Sequence, residues 1–492
     1  MSGRDGRRAR APQRRTKIVA TIGPASEDRA TLRGMIAAGM NMARLSLAHG
    51  PLEETLVRME AVRRAAADEG ATIGILADLP GPKIRAALFP EDGVHLGEGQ
   101  HTELVPGTDG DGSNSERIAI DQPELLAQLR AGDKVALGDG GISLVVDDVH
   151  GDRVRARVVS GGQVLGRPGV TLPAARFQAA IPTPEDLRLL AAVCEAGVDA
   201  VAISFVRAAD DVERVRAAAG PDPPMLVAKI ETPEAVNALE ALIAASDGVM
   251  VARGDLGIRC ALEEVPHFQK LIIRTGVAFG RPVITATQML ESMLRAPTPT
   301  RAEVSDVANA VFDGTSALML SGETAIGHHP VAAVATMARV ATRAEREFDY
   351  TTWGLNLGRQ QTAEARGAPA GVRITAAISA AAWRAAADAG ATAIIACTNR
   401  GGAARAISRF RPTVPILAIT PWERTARQLS VAWGITPIVV EPRGTTDDIV
   451  WFAIKTVVER GLVRTDDVVA VLVGSPVDPE PTTDVLRLVR IR

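Results

Sequence analysis

This chain of 492 residues has no long apolar run, few cysteines and no excess of positive charge. No apolar run approaches the roughly 20 residues that a membrane-spanning helix needs. The net charge of -3 argues against nucleic-acid binding through bulk electrostatics. The three cysteines, Cys194, Cys260 and Cys397, are an odd number without metal-ligand spacing, which is typical of buried thiols in a reducing compartment. The sequence therefore predicts a cytoplasmic protein without membrane or nucleic-acid partners.

Lysine is also scarce, because arginine supplies nearly all of the positive charge. A lysine retained in such a sequence suggests a site where a guanidinium group cannot replace a compact ammonium group. Two of the lysines, Lys83 and Lys229, lie in loops that look like functional motifs. The full set is Lys17, Lys83, Lys134, Lys229, Lys270 and Lys455.

Eight short apolar runs, most of them followed by a helical pattern, dominate the first two thirds of the chain. Continuous runs of Val, Ile, Leu and Ala between helices indicate parallel strands buried on both faces. Eight such units in about 250 residues match a (β/α)8 TIM barrel. The runs begin at Lys17, Met40, Thr72, Val198, Met225, Gly248, Arg281 and Ser316.

The length suits about three domains. We expect the barrel at 16–86 and 178–349, interrupted by a small β-barrel lid domain at 87–177, where short alternating runs are rich in Gly, Asp and Val. An irregular linker is expected at 350–372 and a C-terminal α/β domain at 373–492. Residues 1–15 are rich in arginine and contain no apolar segment, which excludes a secretory signal. We expect these residues to form a disordered basic tail, and the alternative to such a tail is a transit peptide.

Polar side chains stand at the predicted carboxyl ends of the barrel strands, where barrels of this type carry their chemistry. Two carboxylates with room for water and a phosphorylated ligand suit Mg²⁺, and an adjacent lysine suits a transferring phosphoryl group. A surface salt-bridge cluster is the alternative. His49 lies close by, where a helix-capping or ion-pair role is as plausible as catalysis. The strand-end residues are Arg44, Asp78, Arg85, Lys229, Glu231, Asp255 and Thr287.

Nine segments resemble, in order and spacing, the signature segments of pyruvate kinases. The resemblance implies transfer of the phosphoryl group of phosphoenolpyruvate to ADP, giving pyruvate and ATP in glycolysis, in an allosteric cytoplasmic homotetramer. The lid and the C-terminal domain also match that architecture. The segments are TKIVATIGPAS, GMNMARLSLAHG, LADLPGPKIR, ISFVR, AKIETPEAV, VMVARGDLG, TATQMLESM, PTPTRAEVSDVANAV and MLSGETA.

The resemblance also implies roles for single residues. Glu231 and Asp255 resemble the ligands of the divalent metal, Mg²⁺ or alternatively Mn²⁺, and Lys229 resembles the lysine that stabilises the phosphoryl group in flight. Thr287 resembles the threonine at which a relayed proton converts enolpyruvate to pyruvate. The implied substrate-binding residues are Arg44, Ala252, Arg253, Gly254, Asp255 and Thr287. The implied nucleotide-binding residues are Arg44, Arg85, His49 and Arg167.

The monovalent-cation site of that family is altered in this sequence. Ser46, Ala48 and Leu79 replace an Asn, a Ser and a Thr of the family pattern, and of the four K⁺-holding positions only Asp78 remains. Lys83 stands where the family has a Glu. We therefore expect the ammonium group of Lys83 to substitute for the K⁺ charge, so that the enzyme works without added K⁺. The alternative is a drifted site and a weak enzyme.

The lid and the effector loop differ from the family as well. Arg167 is kept, but Pro168 replaces a lysine. The loop CTNRGGAAR has Thr398 and few other hydroxyl groups, while Arg400 and Arg405 bring positive charge. Fructose 1,6-bisphosphate is therefore doubtful as an effector, and another phosphorylated effector, or none, is equally compatible with the loop.

Two other functions compete with the leading interpretation. A lyase or aldolase of a related barrel class would use the same Glu and Asp metal site, but it gives no reason for the lid or for Lys229. A catalytically silent homologue that senses metabolites through its C-terminal domain is compatible with Ser46, Ala48 and Pro168, whereas Lys229 and the other retained strand-end residues argue against it.

Overall fold

The computed structural model describes residues 14–82, 84–108, 110–138, 142–172, 180–364, 369–474 and 482–492. The strands in chain order are β1 (Lys17–Thr21), β2 (Met42–Ser46), β3 (Gly74–Asp78), β4 (Ile84–Arg85), β5 (Val94–Leu96), β6 (His101–Pro106), β7 (Arg117–Ile120), β8 (Lys134–Leu137), β9 (Ile142–His150), β10 (Arg153–Ser160), β11 (Gly162–Val164), β12 (Gly169–Thr171), β13 (Ala200–Ile203), β14 (Met225–Ile230), β15 (Gly248–Ala252), β16 (Val283–Ala286), β17 (Ala317–Leu320), β18 (Ala393–Cys397), β19 (Ile416–Thr420), β20 (Ile435–Val439), β21 (Val468–Val473) and β22 (Val485–Arg490).

The helices connect these strands and cover the sheets. They are α1 (Arg29–Ala38), α2 (Leu52–Asp68), α3 (Pro123–Leu126), α4 (Pro184–Glu195), α5 (Ala209–Ala218), α6 (Pro233–Asn237), α7 (Leu239–Ala245), α8 (Arg253–Arg259), α9 (Val265–Ala278), α10 (Arg301–Phe312), α11 (Gly322–Ala325), α12 (Pro330–Glu345), α13 (Tyr350–Glu364), α14 (Ala370–Asp388), α15 (Gly402–Ser408), α16 (Glu423–Gln428) and α17 (Thr446–Glu459). Short 3₁₀ turns occupy Leu262–Glu264, Glu291–Leu294 and Leu429–Val431. None of the helices in the described ranges is both long and apolar enough to cross a membrane.

Eight strands close into a parallel barrel in the order β1-β17-β16-β15-β14-β13-β3-β2. Each lies within one of the eight predicted apolar runs, so the expected (β/α)8 barrel is confirmed. The runs are apolar on both faces because helices pack outside the barrel while other side chains fill its interior. Helix α4 begins after an N-cap at Thr183, where Thr183 and Asp186 exchange side-chain to backbone hydrogen bonds.

The inserted segment forms a barrel-like lid around its own apolar core. Its seven-stranded sheet has the order β4-β12-β8-β9-β10-β6-β7, and β5 pairs with β11. Strand β10 alternates buried and exposed residues, as expected for a sheet with one wet face. The lid sheet already includes β4 at Ile84, before the expected domain boundary at 87.

The C-terminal α/β domain is also confirmed. Its five-stranded sheet has the order β20-β19-β18-β21-β22, parallel except for the antiparallel edge strand β22. Separate apolar clusters lie on its two faces, one under α14 and α15 and the other under α17. Both faces are therefore covered by helices, as in other parallel sheets.

The C-terminal domain closes the amino-terminal end of the barrel. Val431 packs into the same buried cluster as Val19, Met42 and Leu76 of the barrel interior. The Ser430 hydroxyl accepts a hydrogen bond from the Gly74 N–H at 3.2 Å. Because this end is occupied, the carboxyl ends of the strands are the side of the barrel at which ligands can enter.

Three expectations need correction. The segment 350–372 is not an irregular linker throughout, because Tyr350–Glu364 forms helix α13. Only Cys397 is buried, while Cys194 and Cys260 are half-buried, and all three are free thiols. Arg15 was expected to belong to a disordered tail, but its backbone N–H donates to the Glu345 carboxylate at 3.0 Å. It is ordered because it lies in the seam between the barrel and the C-terminal domain. Residues 1–13 of the expected tail lie outside the described residues.

Candidate active site

Arg44 and Asp78 meet at the carboxyl ends of neighbouring strands β2 and β3. The Arg44 Nε donates to Asp78 Oδ2 at 2.7 Å, and Arg44 Nη1 donates to the Thr21 hydroxyl at 3.0 Å. Burial opposes ionisation of Asp78, but the charges of Lys229 and Arg44 outweigh it and hold the pKa of Asp78 below its ordinary value. Asp78 is therefore a carboxylate that orients two cations.

Lys229 and Glu231 are two residues apart at the end of β14, so their side chains point to the same face of the strand. The Lys229 ammonium lies 3.0 Å from Glu231 Oε1 and 3.2 Å from Asp78 Oδ1. It also donates a hydrogen bond to the Ser204 hydroxyl at 2.7 Å. Burial works against its charge, but Asp78 and Glu231 outweigh that effect and raise the pKa of Lys229, which keeps it protonated.

Glu231 is fully buried and incompletely satisfied. Burial, together with the nearby charge of Asp255, raises the pKa of Glu231 to about 7, although Lys229 and the Phe205 N–H oppose the shift. Its Oε2 accepts from the Phe205 N–H at 2.6 Å. Its Oε1 has no hydrogen-bond partner among the described residues, since the contact with Lys229 is close enough for an ion pair but lacks hydrogen-bond geometry. This buried carboxylate oxygen is therefore compensated by charge alone, and it keeps lone pairs with which it could also bind a metal ion.

A divalent metal fits this donor set. Glu231 supplies a buried oxygen that contacts the Lys229 ammonium group and accepts no hydrogen bond among the described residues, and the negative charge of Asp255 acts on both Glu231 and Lys229. Within the described ranges no group of three or more His, Cys, Asp and Glu side chains could hold a metal on its own. Two carboxylates completed by water and substrate oxygens are the arrangement that Mg²⁺ prefers.

Thr287 and Gly254 lie on the adjoining strand ends, after β16 and β15. The Thr287 hydroxyl accepts from the Gly254 N–H at 2.8 Å and donates to the Ala286 carbonyl at 2.6 Å. Thr287 has a φ of 69°, a left-handed conformation that is uncommon for a β-branched residue and often marks a functional site. The Arg253 guanidinium group pairs with Asp306 of α10, and only 13% of its side chain is exposed.

Arg85 connects the lid with the barrel. Its Nη2 donates to the Ala48 carbonyl after β2 at 3.1 Å, and its Nη1 donates to the Arg167 carbonyl at 3.2 Å. Burial and the charge of Arg167 lower the pKa of Arg85, while Asp121 opposes this. His49 is exposed in the same loop as Ala48. Arg85 is thus the basic group that the structure places between the lid and the end of β2, and Lys83 lies outside the described residues.

Comparison with known proteins identifies the family. Residues 13–334 match the family described as pyruvate kinase, barrel domain, and residues 376–489 match that described as pyruvate kinase, alpha/beta domain. The chain belongs to the pyruvate kinase family. Proteins named pyruvate kinase resemble it along nearly their whole length: that of Mycobacterium tuberculosis is 39% identical over 97% of this chain and 98% of its own. The pyruvate kinase of Methylorubrum extorquens is 38% identical over 96% of this chain and 97% of its own length. That of Clostridium acetobutylicum is 37% identical over 96% of this chain and 99% of its own length.

Membership of the pyruvate kinase family confirms the expected phosphotransferase. The structure brings Arg44, Asp78, Lys229 and Glu231 into one cluster, with Thr287 and Gly254 hydrogen-bonded to each other nearby. Sequence reasoning missed Ser204, although its segment ISFVR was one of the nine that resemble family signatures. The sequence could have indicated Ser204, because a serine at the end of an apolar barrel strand faces the same rim as the other polar strand-end residues.

Proposed function

We propose that this chain is a pyruvate kinase that transfers the phosphoryl group of phosphoenolpyruvate to ADP, producing pyruvate and ATP in glycolysis. One observation carries the proposal: the Lys229 ammonium group, with 12% of its side chain exposed, lies within ion-pair distance of both Asp78 and Glu231 at a barrel strand end in a chain of this family. Phosphoryl transfer depends mainly on positioning and charge neutralisation, and this cluster is built for both.

The proposed residues act in sequence. Arg44 and Lys229 neutralise the phosphoryl group while its bond to the enol oxygen breaks and a bond to the terminal phosphate oxygen of ADP forms. Glu231 and Asp255 would hold Mg²⁺, or Mn²⁺, which when bound supplies charge stabilisation for phosphate and enolate oxygens. The backbone of Ala252–Asp255 seats the substrate carboxylate.

The second half of the reaction adds a proton to carbon. The enolate left by phosphoryl transfer takes a proton at its methylene carbon to become pyruvate, and Thr287 is the residue we assign to this relay. Its hydroxyl is already aligned by the Gly254 N–H and the Ala286 carbonyl. Arg85, Arg167 and His49 are assigned to the phosphates of ADP on the lid side.

We also propose that added K⁺ is not required. In this proposal, the negative charge of Asp78 is taken up by Arg44 and Lys229, and the ammonium group of Lys83 supplies the remaining positive charge. Support comes from the sequence change itself, because loss of the K⁺-binding side chains at Ser46, Ala48 and Leu79 coincides with a new cation. Random drift gives no reason for such compensation.

A phosphorylated small-molecule effector, a cytoplasmic location and a homotetrameric assembly complete the proposal. A cavity of about 560 Å³ in the C-terminal domain supports the effector, because Thr398, Arg400, Arg405 and Arg443 are among the residues that line it. The relatives matched above are named pyruvate kinase and give no support to a catalytically silent homologue.

The decisive experiment is a coupled pyruvate-release assay with phosphoenolpyruvate, ADP and Mg²⁺, run in K⁺-free buffer and again with K⁺. Equal and substantial rates in both buffers are the expected result. A many-fold rise with K⁺ would keep the kinase and remove the argument for Lys83. No activity in either buffer, with sugar phosphates and AMP also tested, would favour the silent homologue.

A further inference from the structure

The Arg253 guanidinium group is an internal clamp on the end of β16. Its Nε donates to the Ala286 carbonyl at 3.1 Å, and its Nη2 donates to the Thr287 carbonyl and the Met289 sulfur, both at 2.7 Å. Only 13% of its side chain is exposed. The clamp therefore holds the two carbonyl groups that flank the Thr287 backbone.

Asp306 holds this clamp from the side away from the strand ends. It projects from α10 and pairs with Arg253 Nη1 at 2.8 Å. Gln269 of α9 makes a weaker contact with the same nitrogen at 3.3 Å and is itself tied to Asp313. Asp306 thus supplies the opposite charge, and the shorter of the two bonds to Nη1, that fix the guanidinium plane.

The Thr287 backbone depends on such support. A threonine with a φ of 69° is strained, and Gln288 follows with a φ of 55°. Residues keep such conformations only where the surrounding structure over-determines them. The bonds from Arg253 to Ala286 and Thr287 provide that restraint, and they set where the Thr287 hydroxyl stands.

We propose that Asp306 is a positioning residue for carbon protonation, acting through Arg253 on Thr287. The inference rests on the proposed function. Lys229 and Glu231 stand on β14, whereas Asp306, Arg253 and Thr287 form a separate chain of contacts on the β15 and β16 side. Because the contacts of Asp306 lead to Thr287 and not to Lys229 or Glu231, loss of Asp306 impairs delivery of the proton to the enolate much more than phosphoryl transfer.

Two part reactions separate these steps. Exchange of the pyruvate methyl hydrogens with deuterium oxide, with Mg²⁺ and ATP present, needs the proton relay. Phosphorylation of glycolate by ATP uses an alcohol oxygen in place of the enolate oxygen and needs no proton transfer to carbon. For Asp306→Ala we expect the exchange rate to fall about tenfold, which is part of the roughly 10²- to 10⁴-fold rate enhancement that a positioned acid supplies. We expect the rate of glycolate phosphorylation to stay within about twofold of the wild-type rate.

The controls distinguish positioning from general damage. Asp306→Asn keeps one acceptor for Arg253, so its exchange rate should lie between those of wild type and Asp306→Ala. Asp68→Ala removes a comparable ion pair with Arg29 on the barrel surface and should change neither rate. Equal losses in exchange and glycolate phosphorylation, or unchanged exchange in Asp306→Ala, would overturn the proposal. A wild-type protein inactive with phosphoenolpyruvate and ADP would instead refute the proposed function.

Discussion

Ser204 shows how one hydroxyl group can hold the charged group of Lys229, the residue to which we assign phosphoryl stabilisation. It accepts from Lys229 at 2.7 Å and donates to the Leu79 carbonyl at 2.7 Å. Hydrogen bonds to charged groups contribute about 1.5–3 kcal/mol, so Ser204→Ala should lower kcat roughly ten- to hundredfold. The coupled assay measures this. Ser379→Ala is the matched control, because Ser379 is a buried serine that bonds the Thr375 carbonyl in the C-terminal domain; equal activity of the two variants would contradict the prediction.

The raised pKa of Glu231 predicts a pH dependence of metal binding. With a pKa of about 7, Glu231 holds a proton in the metal-free protein below pH 7, and a cation must displace it. We expect the affinity for Mn²⁺, measured by calorimetry, to rise about fivefold between pH 6 and pH 7 and about tenfold between pH 6 and pH 8, and to level off above pH 8. The same affinity at pH 6 and pH 8 would rule this out.

The sign for stability follows from the same pKa. Between the ordinary value of 4.5 and about 7, the unfolded chain has lost the proton that folded Glu231 still binds. This group's contribution to the free energy of unfolding therefore decreases as pH rises through that window and is constant above it. Bound metal reverses the trend because it favours the ionised form.

Among the secondary-structure elements, strand β4 connects the lid with the barrel through the contacts of Arg85. Arg85 lies on it and bonds both the Ala48 and the Arg167 carbonyls, which leaves its charge beside the proposed nucleotide site. Arg85→Ala should raise KM for ADP about tenfold, since a phosphate contact is lost, with little change in melting temperature. Steady-state kinetics with varied ADP tests this. Arg153→Ala, at an exposed lid arginine, should leave KM unchanged, and an equal effect of both variants would count against a specific role.

Helix α13 is an element that sequence reasoning treated as irregular. Its segment contains Gly354 and Gly358, residues that are poor helix formers. In the fold, a Cβ at Gly354 would lie 2.3 Å from the Trp383 ring of α14, so the glycine permits close packing of two helices. The packing of α13 against α14 therefore stabilises a helix in a segment whose glycines have a low helix propensity.

At the scale of the whole molecule, the seam between barrel and C-terminal domain has little spare room. A Cβ at Gly74 would lie 2.6 Å from the Arg427 carbonyl and 2.7 Å from the Ser430 hydroxyl, both in the C-terminal domain. Gly74→Ala should therefore lower the free energy of unfolding by about 1–3 kcal/mol, the usual cost of overpacking. Thermal and urea unfolding measure it. Gly358→Ala, which meets no atom within 4 Å, should cause no loss, and equal stability of both variants would contradict a tight seam.

The sequence by itself determined the barrel, the lid, the C-terminal domain and the chemical character of the strand ends. It could do so because parallel strands buried on both faces need continuous apolar runs, and because such strands present their ends at one rim. The pairing of Lys229 with Glu231 follows from the same two-residue alternation.

Only the tertiary structure decided which polar residues support one another across the fold. Asp78 meets Lys229 across 151 positions of the chain, Ser204 meets Lys229 across 25, and Asp306 meets Arg253 across 53. Such contacts depend on barrel closure and helix packing, which no local pattern encodes. For the same reason the sequence alone could not indicate that the C-terminal domain closes the amino-terminal end of the barrel and directs ligands to the opposite rim.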